Sequence, residues 1–222
     1  MHNLLVKMMK YWGSLKRSYS QEGEDKILNR YFKNKKKGFY IDVGAHHPFR
    51  FSNTYLFYKR GWRGINIDAT PGSMKLFKKC RPRDINIETA VSNSTKEINY
   101  YIFDEPALNS FSSKLSKKRA ADTKYKIEKV IKLWPKKLSE ILDENLPLNT
   151  HVDFMTVDVE GYEYEVLVSN NWGKYKPTYL LVEVLKGESE KLTNSKIYLL
   201  LKSKNYKALA NTGRTIIFKK QQ

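Results

Sequence analysis

The stretch Phe39-Tyr40-Ile41-Asp42-Val43-Gly44-Ala45 decides the fold. Its apolar run predicts a buried strand over residues 38–43, of the kind found in parallel sheets that are covered on both faces. Because the run ends in Gly44, the chain is expected to turn sharply at the carboxyl end of this strand, where open α/β sheets bind their ligands. A helix is predicted at 53–59, since Ser52 is a residue type favoured at helix N-caps.

Outward from this strand, apolar and polar stretches alternate, which predicts a mostly parallel sheet with helices on both faces. The other predicted strands cover 64–68, 84–91, 152–157 and 178–184, with an extra edge strand at 96–103. The other predicted helices cover 73–79, 137–144, 162–169 and 190–203. Residues 206–210 and 215–219 flank a turn-rich link, which predicts an antiparallel hairpin. The predicted fold class is α/β, with a Rossmann-like sheet that is mostly parallel and ends in this C-terminal antiparallel hairpin.

The length and composition of the chain limit the possible classes of protein. At 222 residues the chain can bury one sizeable core, and we divide it into an N-terminal helix over 1–18 and a single domain over 19–222. No apolar run approaches the roughly 20 residues of a membrane span. The single cysteine, Cys80, excludes an internal disulfide framework. With no secretory signal recognised at the N-terminus, these observations predict a cytoplasmic location.

The N-terminal residues 1–17 form a separate feature. Leu4, Leu5, Met8, Trp12 and Leu15 fall on one face of a predicted helix, and lysines fall on the other. Such a basic amphipathic helix docks on its own domain or on a second subunit, which is the interpretation we favour. The alternative is peripheral contact with the inner face of a membrane. The oligomeric state stays open.

The positive charge of the chain is concentrated in one region. The formal net charge is +18, and residues 114–137 hold ten Lys or Arg against two acids. We interpret residues 104–135 as a basic insertion and assign Lys117, Lys118 and Arg119 to acceptor binding. A purely solvated lysine-rich surface is the equal alternative, whereas a functional patch predicts an anionic or carrier-linked acceptor.

The glycine at the end of the first strand indicates the type of ligand. A nicotinamide-type dinucleotide site requires a G-x-G-x-x-G turn, because three glycines let the backbone approach a pyrophosphate. Here Gly44 is followed by Ala45-His46-His47-Pro48, which supplies one glycine. S-adenosylmethionine carries no phosphate and is cationic, so one glycine is sufficient and Asp42 beneath the turn is favourable. The sequence therefore predicts S-adenosylmethionine as the cofactor.

A second acidic residue supports a ligand that contains adenosine. Asp68 ends the second predicted strand, close to the spacing from Gly44 at which a carboxylate accepts hydrogen bonds from both ribose hydroxyls. A helix-capping role is the alternative for Asp68, because Pro71 follows closely. Ala90, Val91 and Ser92 end the third predicted strand, where we expect the adenine ring.

Several motifs together resemble the FkbM-type methyltransferases. These motifs lie at residues 20–25, 41–48, 51–54, 61–64 together with Asp68, 81–82, 109–112 and 158–163. The resemblance implies the class I methyltransferase fold and methyl transfer from S-adenosylmethionine to oxygen, commonly a sugar hydroxyl in cell-surface glycans or glycosylated natural products. Within these motifs, further residues are assigned to the cofactor site, namely Gln21, Asn53 and Thr54, and one, Asn109, to the acceptor. The segment 114–132 is longer and more basic than the corresponding part of the family pattern.

The reacting groups are expected at the end of the fourth strand. Asp158 and Glu160 follow that strand, and neighbouring carboxylates raise the pKa of one group, which makes it a better general base. Glu183, at the end of the fifth strand, is assigned to the acceptor side. The alternative is that Glu160 caps a helix and Asp158 orients the cofactor amine. A divalent cation on these carboxylates is a minority alternative, and no metal is predicted.

Two histidines lie in the first loop, beside the expected methyl donor. His46 is an alternative base, because the ordinary pKa of histidine is about 6.5, and His47 is assigned to the acceptor. We expect at least one of them to hydrogen-bond the backbone or a carboxylate instead.

Two other functions compete with this interpretation. The charge favours a nucleic-acid methyltransferase acting on RNA. However, Asp158-Val159-Glu160-Gly161 stands where amine methylation of bases usually shows an Asp/Asn-Pro-Pro-Tyr element, so no nucleic-acid partner is expected. A scaffold protein that keeps the fold would bind no cofactor.

Overall fold

A computed structural model of the chain describes residues 18–184 and 193–221. The strands in these ranges are β1 (Phe39–Val43), β2 (Arg63–Asp68), β3 (Ile85–Glu88), β4 (Ile98–Phe103), β5 (Ile127–Leu133), β6 (Phe154–Val157), β7 (Tyr179–Glu183), β8 (Tyr206–Asn211) and β9 (Thr215–Lys220). The α-helices are α1 (Glu24–Tyr31), α2 (Tyr55–Lys59), α3 (Ser73–Cys80), α4 (Ser113–Asp122), α5 (Leu138–Asn145), α6 (Glu163–Val168) and α7 (Lys196–Ser203). A 3₁₀ turn spans Pro106–Leu108.

The main sheet confirms the predicted fold class. Its seven strands lie in the order β3-β2-β1-β6-β7-β9-β8. The first five are parallel, and the hairpin of β8 and β9 adds antiparallel pairing at the C-terminal edge. The central strands β1 and β6 are adjacent, so the loops that follow them meet at one edge of the sheet.

Both faces of the sheet are buried, which explains the continuous apolar run of β1. Ile41 and Val43 belong to one core cluster, and Tyr40 belongs to the cluster on the opposite face. This alternation follows from the two-residue period of a strand. The run 39–43 therefore packs against helices above and below the sheet.

The strand predicted at 96–103 is present as β4, but its place in the fold was predicted wrongly. It forms no edge of the main sheet, because it pairs antiparallel with β5 in a separate two-stranded sheet. The third strand of the main sheet, predicted at 84–91, is regular only over Ile85–Glu88. Beyond its end, an isolated β-bridge joins Val91 to Lys136.

Some elements escaped the sequence analysis, and others lie outside the described residues. The helices α1 and α4 and the strand β5 were not predicted. The amphipathic helix over 1–17 and the first residues of the helix predicted at 190–203 fall outside the described ranges. No helix in the described part of the chain is both long and apolar enough to cross a membrane.

Candidate active site

A cleft lies at the edge of the sheet where the chain leaves β1, β2, β3 and β6. We call it the first cleft. Eight residues assigned from the sequence line it: Gln21, Gly44, His46, Asp68, Val91, Asn109, Asp158 and Glu160. The sequence analysis missed other lining residues, among them Thr70, Thr89 and Tyr100. Tyr100 and Thr70 share a hydrogen bond of 2.8 Å between their hydroxyl oxygens. Tyr100 comes from the separate two-stranded sheet, a placement that no local sequence signal indicates.

Gly44 brings the ends of β1 and β6 into direct contact. Its φ is +82°, and a Cβ atom placed on it would lie 1.7 Å from the carbonyl oxygen of Asp158. Only glycine fits a position that combines this backbone conformation with so close an approach. The turn at Gly44 thus fixes the segment that carries Asp158 against the end of β1.

Asp68 holds two loops in place from the end of β2. One carboxylate oxygen accepts a hydrogen bond from the backbone N–H of His46 at 2.8 Å, and the other accepts from Thr70 N–H at 2.8 Å. A carboxylate oxygen can accept more than one hydrogen bond, so Asp68 can still accept from a ligand in the cleft. Asp68 was also considered as a helix-capping residue. Its hydrogen bond from Thr70 N–H, shortly before α3 begins at Ser73, agrees with part of that role.

The two histidines occupy different environments. His47 Nδ1 accepts hydrogen bonds from the backbone N–H groups of Phe49 and Arg50, at 3.2 and 3.1 Å. His46 lines the first cleft, and its buried Nε2 has no hydrogen-bond partner among residues 18–184 and 193–221. Burial lowers the pKa of His46, so its ring is neutral near pH 7. His47 is a loop-forming residue, whereas His46 presents an unpaired nitrogen.

Three carboxylates meet where the strands β6 and β7 end. Oxygen atoms of Asp158, Glu160 and Glu183 lie within 4.8 Å of one another. Loss of contact with water is the main cause that raises the pKa of all three groups. Repulsion from Asp158 and Glu160 contributes further to Glu183, whose pKa rises to about 12. Such a cluster holds at least one proton at neutral pH, and its donor set is one that a hard divalent cation can also use.

Arg119 supplies a positive charge to this cluster. Its guanidinium forms an ion pair with Glu160 and donates a second hydrogen bond to the carbonyl oxygen of Leu108 at 3.1 Å. Arg119 counteracts the effect of burial on the pKa of Glu160. The alternative in which Glu160 caps a helix is not what the structure shows. Glu163 accepts from the N–H groups of Val159 and Gly161 instead, each at 3.0 Å.

The family model of the methyltransferase FkbM domain matches residues 42–208. This chain belongs to the FkbM-type methyltransferase family. A crystal structure of a TehB-like SAM-dependent methyltransferase from Corynebacterium glutamicum ATCC 13032 Kitasato is similar to it with a TM-score of 0.45 and 8% identity, over 99% of this chain and 97% of that chain. No curated protein sequence matches the chain.

Three residues assigned to the cofactor, Asp42, Asn53 and Thr54, do not line the first cleft of this methyltransferase. Asp42 accepts a hydrogen bond from the Thr54 hydroxyl at 2.6 Å, and burial raises the pKa of Asp42 to about 6 although the nearby Arg81 lowers it. Asn53 donates to the Thr156 hydroxyl at 3.0 Å. These contacts tie the loop after β1 to the strands below it.

Of the remaining assigned residues, some support the wall of the first cleft and others line a second opening. Ala90 and Ser92 exchange backbone hydrogen bonds with Lys136, at 3.0 and 3.1 Å, and so position Val91 at the wall of the first cleft. Ala45 is buried beside α3. Lys117 is exposed and lines neither cleft.

The second opening, which we call the second cleft, lies beside the three carboxylates. Lys118, Arg119 and Glu183 line it, together with Lys114 and Arg214. The first and second clefts therefore approach the carboxylate cluster from different sides, because Asp158 and Glu160 line the first and Glu183 lines the second.

The donor set of the first cleft fits S-adenosylmethionine, whose use the family implies. The carboxylate of Asp68 suits a pair of ribose hydroxyls, and the carboxylate of Asp158 suits an ammonium group. Val91 and Phe111 supply apolar surface for an aromatic base. The close backbone approach at Gly44 leaves space that a side chain would otherwise fill.

Proposed function

We propose that this methyltransferase uses S-adenosylmethionine to methylate a hydroxyl of a sugar or glycan-type acceptor, in the biosynthesis of a cell-surface polysaccharide or a related glycoconjugate. The observation that carries this proposal is the position of the carboxylate cluster between two clefts. Asp158 and Glu160 face the first cleft, and Glu183 faces the second. A hydroxyl that enters from the second cleft passes the protonated Glu183 and approaches Asp158, whose carboxylate oxygen lies within 4.8 Å of that of Glu183 and can accept the proton.

The first cleft is the proposed cofactor site. Asp68 holds the ribose hydroxyls, Asp158 orients the amino group, and Val91 packs against the adenine. When bound there, the cofactor supplies a methyl group attached to a positively charged sulfur. The polypeptide contributes orientation, because positioning of the reacting groups is a large part of the catalysis of such a transfer.

The base is assigned within the carboxylate cluster. Glu183, with a pKa raised to about 12, carries its proton at neutral pH. Glu160 is engaged by the guanidinium of Arg119. Asp158 is the remaining carboxylate, and we assign it the proton of the acceptor hydroxyl as well as contact with the cofactor. His46 is the alternative base, since its Nε2 is unpaired within the described ranges.

A hydroxyl acceptor fits this cluster better than an amine does. A neutral hydroxyl has to lose its proton as the new bond forms, so a positioned base accelerates the reaction by about 10² to 10⁴. The family supplies the sugar part of the proposal, since its members commonly methylate sugar hydroxyls.

Methyl transfer can be followed directly with a labelled cofactor. The purified protein is incubated with S-adenosylmethionine that carries a ¹³C-methyl group and, in separate samples, with mono- and oligosaccharides, RNA or amines, and new methyl signals are sought by NMR. We expect a signal on a sugar oxygen with the wild-type protein and one that accumulates roughly 100-fold more slowly with Asp158→Asn. Labelling confined to RNA or to amines would contradict the proposal, as would a failure of the folded protein to bind the cofactor.

A further inference from the structure

One face of α4 forms a wall of the second cleft. Lys114, Lys118 and Asp122 line this cleft, as do Leu115 and Arg119. Residues at this spacing lie on the same side of a helix, one turn above another. The cleft is therefore bounded by a regular, preformed surface.

The charges of this wall are unevenly compensated. Arg119 is paired with Glu160, and Arg214 lies 3.7 Å from Glu22 between its Nε and a carboxylate oxygen. Lys114 and Lys118 form no ion pair with any carboxylate of residues 18–184 or 193–221. Lys114 and Lys118 repel each other across one helical turn, and Asp122, one turn beyond Lys118, is the one acidic residue of α4 on this wall.

We infer that the second cleft recognises an acceptor that carries a phosphate or carboxylate group, bound by Lys114 and Lys118. This inference rests on the proposed function and names the class of its acceptor. Glu183 lines the same cleft as the two lysines. An anionic group held by the lysines would leave a hydroxyl of the same molecule facing the carboxylate cluster. Lys117, on another side of α4, has no part in this recognition.

The test compares two pairs of lysines from the same basic segment. The variant Lys114→Gln/Lys118→Gln removes two charges from the cleft wall. The control Lys129→Gln/Lys132→Gln removes two charges from exposed positions of β5, which line neither cleft. Both pairs change the net charge equally, so an effect of net charge alone lowers binding by the same factor in each.

Binding of four probes is measured by isothermal titration calorimetry in the presence of S-adenosylhomocysteine. The probes are glucose, glucose 1-phosphate, glucuronate and UDP-glucose, which separate a phosphate monoester, a carboxylate and a nucleotide diphosphate from a neutral sugar. We expect at least one charged probe to bind tenfold or more tightly than glucose. The Lys114/Lys118 variant should lose this advantage, and the control should retain it. Raising the salt concentration should weaken the charged probe alone, because exposed charges are screened.

Other outcomes would overturn the inference. They are equal binding of charged and neutral probes, absence of binding by every charged probe, or equal losses in the two variants. Tighter binding of a single-stranded RNA than of any sugar, lowered equally in both variants, would show that the lysines form a general polyanion surface. Failure of the proposed function is distinguished by S-adenosylmethionine itself, since its binding does not depend on the second cleft.

Discussion

Gly44 and the carbonyl oxygen of Asp158 are packed so closely that a Cβ atom on residue 44 would lie 1.7 Å from that oxygen. The contact joins the ends of two adjacent parallel strands, β1 and β6. It sets the position of Asp158 relative to the floor of the first cleft. The glycine therefore determines both the shape of the proposed cofactor site and the place of the proposed base.

Substitution Gly44→Ala should destabilise the protein by roughly 2 to 5 kcal/mol, the combined cost of overpacking and of a side chain at positive φ. Urea unfolding measures the effect. Gly72→Ala is the matched control, because Gly72 has a φ of +85° and nothing within 4 Å of its added Cβ. The control measures only the cost of placing a side chain at positive φ. A similar loss of stability in both variants would show that the Gly44–Asp158 contact relaxes without cost.

The affinity for S-adenosylmethionine should fall when Asp68 is replaced. Asp68→Asn removes the charge from the proposed contact to the ribose, and its NH₂ group cannot accept a hydrogen bond from a backbone N–H. We expect the free energy of cofactor binding to become less favourable by an amount on the order of 1.5 to 3 kcal/mol. Glu88→Gln is the control, because Glu88 is the neighbour of Asp68 in the sheet register and also accepts from a backbone N–H, that of Gly72. Calorimetry that shows unchanged affinity in a folded Asp68→Asn variant would remove Asp68 from the site.

The parallel core of the fold could be predicted because its strands are buried on both faces. The run that contains Ile41 and Val43 is apolar throughout, and the hairpin is marked by a turn at Gly213. The helix α4 has a weak hydrophobic pattern in the sequence, because Ser116 is its one buried residue. The strand β5 was not predicted either, because few of its residues are buried. Glu128, Lys129 and Val130 are all exposed, so β5 lacks the apolar–polar alternation of a half-buried strand.

The positions of the candidate site residues could be predicted where they lie at the end of a strand, and not where they depend on distant segments. Asp68 and Glu183 are the last residues of β2 and β7, and Asp158 directly follows β6. The ion pair of Arg119 with Glu160 joins residues 41 positions apart through a helix that was not predicted. Its detection required the three-dimensional structure, and it alters the choice of base.

The stability of the protein should depend on pH through Glu163. Burial raises the pKa of this carboxyl from its ordinary value of 4.5 to about 7. The folded state therefore binds more protons than the unfolded state between these pH values, so stability is full below about 4.5 and falls as pH rises to about 7, by about 3 kcal/mol. Glu163→Gln should remove this component, because its amide oxygen can still accept from Val159 and Gly161.

The comparison is made by thermal or urea unfolding at pH 5 and pH 8. We expect Glu163→Gln to be similar to wild type at pH 5 and more stable at pH 8. The substitution Glu165→Gln on the same helix serves as the control. A variant at position 163 that loses stability equally at both pH values would show that Glu163 is ionised in the folded state without cost.

The last prediction separates the roles of two neighbouring carboxylates by neutral substitution. Glu183, whose pKa is raised to about 12, is protonated at neutral pH, so Glu183→Gln replaces one neutral group with another of the same shape and should leave turnover close to wild type. Asp158→Asn removes the proposed base and should lower turnover by roughly 100-fold or more. Because the pKa of Asp158 is raised, wild-type turnover should fall as pH decreases through that raised value. Single-turnover methyl transfer with saturating cofactor, measured across pH, reports both effects. A large loss in Glu183→Gln with activity retained in Asp158→Asn would exchange the two roles, and activity retained in both would leave His46 as the base.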